Sequence, residues 1–328
     1  MLSILKEIPI TQIKNIKIGH AQDYSHGTGC TVILCENGAP AGVDIRGGGP
    51  ASRETPLLDA SASAKEIHAV LLSGGSAYGL DASGGVMRYL EEKNIGFCVG
   101  DIRVPLVCQS CIFDLAVHSS KVRPDSHMAY QACQNAEFLY KNNLVPEQGN
   151  IGGGTGATVG KLLGPSHTMK SGIGIYAVEL GKLQVAAIVV VNAVGDIFDI
   201  ETGKQIAGPF DSNKKILRNS EELMYQNYAN LSSVSNINTT IGAIITNAHF
   251  SKYELNKIAS MAHNGYARAI RPVHTLLDGD SIYTLSVGNV VADISLVGTL
   301  SSTVMGYAIK NAITHSTTMY GFPSYWDL

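Results

Sequence analysis

The segment Asn236-Ile237-Asn238-Thr239-Thr240-Ile241-Gly242-Ala243-Ile244-Ile245-Thr246-Asn247 runs from polar residues straight into an apolar, β-branched stretch. The second half has the composition of a buried strand. Thr239 stands at its first position, so its hydroxyl is anchored on a rigid element, where a nucleophile can be held in place. A break in the chain before Thr239 would put a free α-amine beside that hydroxyl. Such an amine has an ordinary pKa of about 7.7–8.0 and can take the hydroxyl proton near neutral pH. A threonine paired with its own N-terminal amine is one way to activate a weak nucleophile. Asn-Thr-Thr before an apolar run is also a plain loop-to-strand junction, and this stretch alone leaves both readings open.

Outward from that junction, the pattern continues as a helix and a second strand. Ser251-Lys252-Tyr253-Glu254 is a capping box, and Leu255, Ile258, Ala259, Ala262 and Tyr266 follow at helical spacing. The helix is expected to end near Ile270, where Arg271-Pro272 stops it. Arg268 and Arg271 suit the negative end of its dipole. Asp278-Gly279-Asp280 reads as a turn leading into a strand over 281–287. On the N-terminal side, Ser220 to Tyr228 is expected to be helical, and 227–238 reads as a flexible, solvent-reachable approach to the junction. Val185 to Val191 is a strongly apolar strand ending at Asn192.

Nearer the start, Gly29 to Cys35 is a β run and Asn37-Gly38 is a hairpin signal, with 41–46 as the return strand. His68 to Leu72 is a further strand. Ser73-Gly74-Gly75-Ser76 turns it into a helix through about Glu92. Leu300, Val304, Met305, Ala308 and Ile309 mark a final helix. The tail Tyr320 to Trp326 is aromatic and is expected to pack on its own body or on another subunit.

With 328 residues, 45% of them hydrophobic and 16% charged, and a net charge of -3, the chain reads as a well-buried globular protein. No basic stripe suggests nucleic acid, and no apolar run reaches membrane-spanning length. The N-terminus carries no secretory signature, so a reduced cytoplasmic setting is the expectation. Six cysteines include Cys108-Gln109-Ser110-Cys111, but no second pair follows at zinc spacing. His263 and His274 likewise lack metal partners at useful spacing and read as structural residues. No metal and no cofactor is expected.

The glycine-dense stretch Gly149 to Lys161 invites a phosphate-loop reading, but Leu162 stands where a P-loop needs Ser or Thr. It is not a dinucleotide fingerprint either. It reads as a turn lining a cavity, with Lys161 at its end.

Taken together and in order, seven motifs carry a resemblance: Gly27-Thr28-Gly29-Cys30, Val43-Asp44-Ile45-Arg46, Leu72-Ser73-Gly74-Gly75, Gly153 to Lys161, Val191-Asn192-Ala193-Val194-Gly195-Asp196, Asn238-Thr239-Thr240-Ile241 and Asp278-Gly279-Asp280. Over roughly residues 8–312 the chain resembles the self-processing DmpA-like aminopeptidases. These include the L-aminopeptidase/D-esterase, β-peptidyl aminopeptidases and the nylon-oligomer endohydrolase. The resemblance implies an αββα four-layer sandwich of N-terminal-nucleophile type. It implies a single catalytic domain, 1–328, self-cleaved between Asn238 and Thr239 into 1–238 and 239–328. Thr239 becomes the nucleophile, surrounded by Asn192, Lys161, Asp278 and Asp280. Asn192 is expected to donate to the oxyanion, Lys161 to add positive charge, and the two aspartates to orient the amine or meet a substrate ammonium. The implied partner is a small peptide or amide substrate, in a homo-oligomer, possibly a tetramer, of cut protomers.

Two departures bear on the substrate. The aminopeptidase branch has Gly-Ser at the cut where this chain has Asn-Thr. Some members place a tyrosine hydroxyl near the oxyanion, where this chain reads Phe113. Two alternatives to the hydrolase remain from the sequence: an acyltransferase of the ornithine acetyltransferase type, and an uncleaved relative that only binds a ligand.

Overall fold

Apolar alternation and β-branched content on both sides of the chain's midpoint build two sheets, and the small-residue and amphipathic helices cover their outer faces. A computed structural model describes residues 4–211, 216–226 and 238–328. In chain order the main strands are β1 (Lys6–Glu7), β2 (Lys17–Asp23), β3 (Thr28–Ala39), β4 (Ala41–Ile45), β5 (Ser52–Arg53), β6 (Ile67–Ser73), β7 (Val107–Cys111), β8 (Ile173–Leu180), β9 (Leu183–Asn192), β10 (Thr239–Ala248) and β11 (Ser281–Val290). The helices are α1 (Ser83–Glu92), α2 (Ser126–Lys141), α3 (Ser220–Gln226), α4 (Lys252–Ala269) and α5 (Ile294–Thr314).

One sheet has the order β1-β8-β9-β10-β11-β4 and the other β2-β3-β6-β7-β5. Between them lies a layer of apolar side chains. Ile33, Val70, Leu72 and Cys108 come from the smaller sheet, and Ile188, Val190, Ile241, Ala243 and Leu285 from the larger. Each such side chain, fully buried, contributes about 1.5–3 kcal/mol of transfer free energy. Tyr283 of β11 reaches across this layer to the Ser110 hydroxyl of β7, 2.8 Å away. Helices α4 and α5 pack on the outer face of the larger sheet through Leu255, Ile258, Val304 and Ala308. Helices α1 and α2 cover the smaller sheet through Val86, Leu90, Ala129 and Ala132. The architecture is therefore helix, sheet, sheet, helix, the four layers that the resemblance implies.

Several local expectations hold. Ser251 and Glu254 form the reciprocal capping box of α4, and Arg268 lies in its last turn. Arg271, just beyond, instead places its guanidinium 4.3 Å from the Phe198 ring centre. The aromatic tail packs on its own body: the Tyr320 hydroxyl donates to Tyr24 O and the Trp326 indole to Thr314 O. The helix expected over 220–228 is α3, which spans Ser220–Gln226. The flexible approach expected over 227–238 lies outside the described residues except for Asn238, which is buried rather than solvent-reachable. All six cysteines are free, and both of the C-x-x-C pair are buried in β7.

The hairpin expected at Asn37-Gly38 is not there. Strand β3 continues through both residues to Ala39, with an irregularity in its pairing to β6 between Leu34 and Ala39. Gly38 takes a φ of 76°, the kind of backbone a β-bulge uses. Strand β4 then leaves for the other sheet and pairs with β11. The Asn-Gly signal thus marks a sheet switch. Helix α2 carried no large apolar stripe in the sequence. It buries Ala129, Ala132, Cys133 and Ala136, and Asp125 caps its N-terminus by accepting from Met128 N.

Candidate active site

The larger sheet gathers the site by strand direction. Strands β10 and β11 are adjacent and parallel, so both begin at the same edge; α4 makes the crossover between them. The turn that precedes β11 therefore lies beside the start of β10, and Asn238 bridges Asp278 directly. Strand β9 runs antiparallel to β10 and ends where β10 begins, with Asn192 opposite Thr239. This brings together all five residues singled out in the sequence: Thr239, Asn192, Asp278 and Asp280 lie at one end of the inner strands, and Lys161 reaches Asn192 from the glycine-rich turn.

Thr239 is 3% exposed and Asn238 1%. The Thr239 hydroxyl donates to the carbonyl oxygen of Asn238, the residue on the other side of the peptide bond before it. The Gly279 N–H donates to that same oxygen at 3.0 Å, and Leu277 O accepts from Asn238 N at 3.2 Å. The Asn238 carbonyl is thus held and polarised by main chain from the 277–279 turn. Gly279 matters for a second reason: a Cβ there would lie 2.9 Å from the Thr239 hydroxyl oxygen and 3.0 Å from Gly49 O.

Lys161 puts its ammonium on Asn192, 2.7 Å from Oδ1 and 3.1 Å from the main-chain oxygen. Asn192 Oδ1 also accepts from Thr158 N at 3.1 Å, and its Nδ2 donates to Phe113 O at 3.1 Å. The side-chain amide is therefore locked in orientation, with one of its two N–H bonds committed to the Phe113 carbonyl. Burial pushes the Lys161 pKa down to about 7, opposed by the negative charges of Asp278 and Asp114. Burial raises Asp278 to about 6, with Asp280 adding to the rise and the Thr275 hydrogen bonds and Lys161 opposing it.

The two aspartates differ in their work. Asp280 accepts from Thr240 N at 2.7 Å through one oxygen; the other faces His274 N and Nδ1, at 3.1 and 2.9 Å. Its carboxylate is tied to the second residue of β10 and fixes how that strand begins. Asp278 accepts from Thr275 N at 2.7 Å. His274, read from the sequence as structural, is a clamp on Asp280; its φ of 60° lets ring and N–H meet the same oxygen. Among the described residues, no group of three or more His, Cys, Asp or Glu side chains is placed to hold a metal ion.

Sequence reasoning missed Gly279, Asp114 and Lys170 as parts of this neighbourhood. Asp114 is 3% exposed and Lys170 fully buried. No local pattern marks Lys170, which stands between Met169 and the polar Ser171.

The four-layer αββα body, with a buried threonine at the start of a central strand, has the fold type of the Ntn hydrolases. Residues 9–324 match Peptidase family S58, and the chain belongs to that family. It is accordingly a hydrolase of peptide or amide bonds. An uncharacterized aminopeptidase of Mycobacterium leprae is 36% identical, over 96% of this chain and 92% of the relative. A 6-aminohexanoate-oligomer endohydrolase of Kocuria sp. (strain KY2) is 31% identical, over 90% of this chain and 83% of the relative. The solved L-aminopeptidase D-Ala-esterase/amidase of Ochrobactrum anthropi, described as a variant of the Ntn hydrolase fold, superposes with a TM-score of 0.68 at 17% identity. It spans 95% of this chain and 87% of its own. A Burkholderia sp. beta-aminopeptidase superposes with a TM-score of 0.66, also at 17% identity, over 95% of this chain and 88% of its own. Among the described residues no helix is long and apolar enough to cross a membrane.

Proposed function

We propose that the chain severs its own backbone between Asn238 and Thr239 and that the freed Thr239 hydrolyses small amides. One observation carries this: the Thr239 hydroxyl and the Gly279 N–H converge on the Asn238 carbonyl oxygen. In the first reaction Thr239 Oγ1 attacks the Asn238 carbonyl carbon. The Gly279 N–H stabilises the oxyanion that develops. The C–N bond breaks, the nitrogen takes the hydroxyl proton, and an ester links Asn238 to Thr239. Water then releases Asn238 as a carboxylate and leaves Thr239 with a free amine and a free hydroxyl.

In the cut protein the amine takes the proton as the hydroxyl attacks a substrate amide, and donates it to the leaving amine. Lys161, held on Asn192, supplies positive charge that keeps the amine neutral and favours the oxyanion. The second N–H of Asn192 is the side-chain donor available to that oxygen. Asp280 fixes the start of the strand, and Asp278 meets the amine. The names of the relatives support a substrate that is the N-terminal residue of a short peptide or an oligomer of an ω-amino acid.

The cut products would stay in one body. Strands β10 and β11 belong to the 239–328 piece, yet they lie between β9 and β4 of the 1–238 piece. Separating the pieces would break a strand pair on each side.

Denaturing electrophoresis and N-terminal sequencing test the proposal. Two fragments are expected, the smaller beginning Thr-Thr-Ile. Thr239→Ala should stay full length and lose amide turnover by at least about 10³-fold. A wild-type chain that stays uncut after long incubation, or a Thr239→Ala variant that still turns over amides, would overturn it.

A further inference from the structure

Two charged side chains next to this site have no part in the reaction just described. Lys170 is fully buried, on a short strand paired with Thr158-Val159. Its ammonium donates to three main-chain oxygens: Gly154 at 3.2 Å, Ala157 at 2.7 Å and Ser171 at 2.5 Å. All three of its protons are used, and two of the acceptors belong to the glycine-rich turn that ends in Lys161. Asp114 lies against the same turn. Its Oδ2 accepts from the Thr28 hydroxyl at 2.6 Å and its Oδ1 from Gly75 N at 2.7 Å. A Cβ on Gly156 would lie 2.6 Å from the Asp114 Cβ, so this turn needs glycine to approach the carboxylate. Between these two anchors the turn delivers Thr158 N to Asn192 Oδ1 and, three residues on, the ammonium of Lys161 to the same oxygen.

We propose that Lys170 and Asp114 are positioning residues for Lys161: they hold the turn that carries it from two sides, and as buried charges of opposite sign they tune the cation it presents. The proposal rests on Lys161 acting as the cation beside Thr239. The charges on the page fit it. Burial lowers Lys170 to about 7, with Asp114 opposing and Lys161 adding to the fall. Asp114 is raised by burial, while its hydrogen bonds to Thr28 and Gly75 and the charge of Lys161 hold it down. Lys161 thus feels anions at Asp278 and Asp114, and its own charge lowers Lys170; Asp280 acts on Asp278. Coupling between two titrating sites is reciprocal.

The opposite signs make the test. Amide turnover by the cut protein should fall on the alkaline side as Lys161 loses its proton. Asp114→Asn keeps the shape of the side chain but removes the anion. Its alkaline limb should move to lower pH, by about half a unit or more. Lys170→Met removes the cation and should move the same limb to higher pH. A purely structural role for either residue would lower the rate or the melting temperature and leave the limb in place, or move both variants the same way. Either result overturns the proposal. If Lys170→Met does not fold, Asp114→Asn decides alone, and an unmoved limb is fatal. The wild type separates this from the wider reading. An uncut, inactive wild type takes both down, whereas an active wild type with a stationary Asp114→Asn limb sinks only the positioning roles.

Discussion

Two clusters of lysines and carboxylates differ sharply, one at the strand ends of the larger sheet and one on the outside of the smaller. The outer cluster joins β2, β3 and α2: Lys17 meets Glu36 at 2.6 Å, Lys141 meets Glu137 at 3.0 Å, and Lys93 bridges both glutamates. Hydrogen bonds from Lys93 and Tyr89 hold Glu137 down to about 2. In the inner cluster the same residue types behave in the opposite sense. Burial is the largest influence on Lys161, Lys170 and Asp278, and it drives them to about 7, 7 and 6. Where water still reaches the charges, pairing wins at Glu137 and keeps its carboxylate ionised. Where it does not, desolvation wins and they titrate near neutral pH, where proton transfer can use them.

The largest expected difference between the clusters is functional. Lys161→Met should lower amide turnover by about 10²–10³-fold, the scale of losing one stabiliser of the oxyanion. It should also slow the appearance of the fragment beginning at Thr239. Lys93→Met removes a lysine that contacts two glutamates, yet turnover should stay within about twofold, since it lies outside the site. Its effect should be confined to stability, at about 1 kcal/mol or less for a partly exposed ion pair. Steady-state kinetics and thermal unfolding on both variants read this directly. Equal losses of turnover would erase the distinction drawn between the clusters.

A smaller effect should follow from Gly279→Ala, which adds no charge and removes none. The new Cβ would sit 2.9 Å from the Thr239 hydroxyl oxygen, closer than such contacts tolerate. Either the hydroxyl or the 277–279 turn must shift, and misplacement of a reacting atom slows chemistry steeply. A slowing of self-cutting by about 10-fold is expected, with the fold retained. A variant that cuts at the wild-type rate would show that the turn does not hold the Asn238 carbonyl for attack.

How far this arrangement was legible in the sequence depends on whether each residue's role is local. Thr239 and Asn192 stand at the ends of apolar strands, which pattern shows, but their roles and those of Lys161, Asp278 and Asp280 came from the resemblance. The four-layer architecture came from the resemblance, since hydrophobic periodicity gives strands but not which sheet each joins. The break at 37–41 shows the limit: Asn-Gly carries the same local signal for a hairpin and for a bulge, and only pairing with β6 and β11 decides. Lys170 was invisible for a similar reason. Nothing in Met169-Lys170-Ser171 marks a buried ammonium; its burial depends on carbonyls at 154 and 157 that the turn folds onto it. Helix α2 escaped because it buries alanines and a cysteine where a stripe of large residues is easier to see.

The smallest effect is a pair of opposite pH dependences of stability, one from each cluster. Glu137 has a folded pKa held down to about 2 from an ordinary value of 4.5. Its ionised form is favoured by folding, so its contribution is present above pH 4.5 and is lost as pH falls towards 2. Glu137→Gln should therefore melt lower than wild type at neutral pH, with the gap closing under acid. Asp278 has a folded pKa raised to about 6 from 3.8. Folding favours its protonated form, so stability is lost as pH rises from 3.8 through 6 and the penalty persists above. Asp278→Asn escapes that penalty: it should melt higher than wild type above pH 6, with the gain vanishing below about pH 4. The same substitution should reduce amide turnover, because the penalty is tied to the arrangement proposed to do the chemistry. Thermal unfolding of the two variants from pH 3 to pH 8 makes the comparison. Two differences running in the same direction with pH would mean that burial does not govern the inner cluster, and that its lysines and aspartates are ordinary ion pairs.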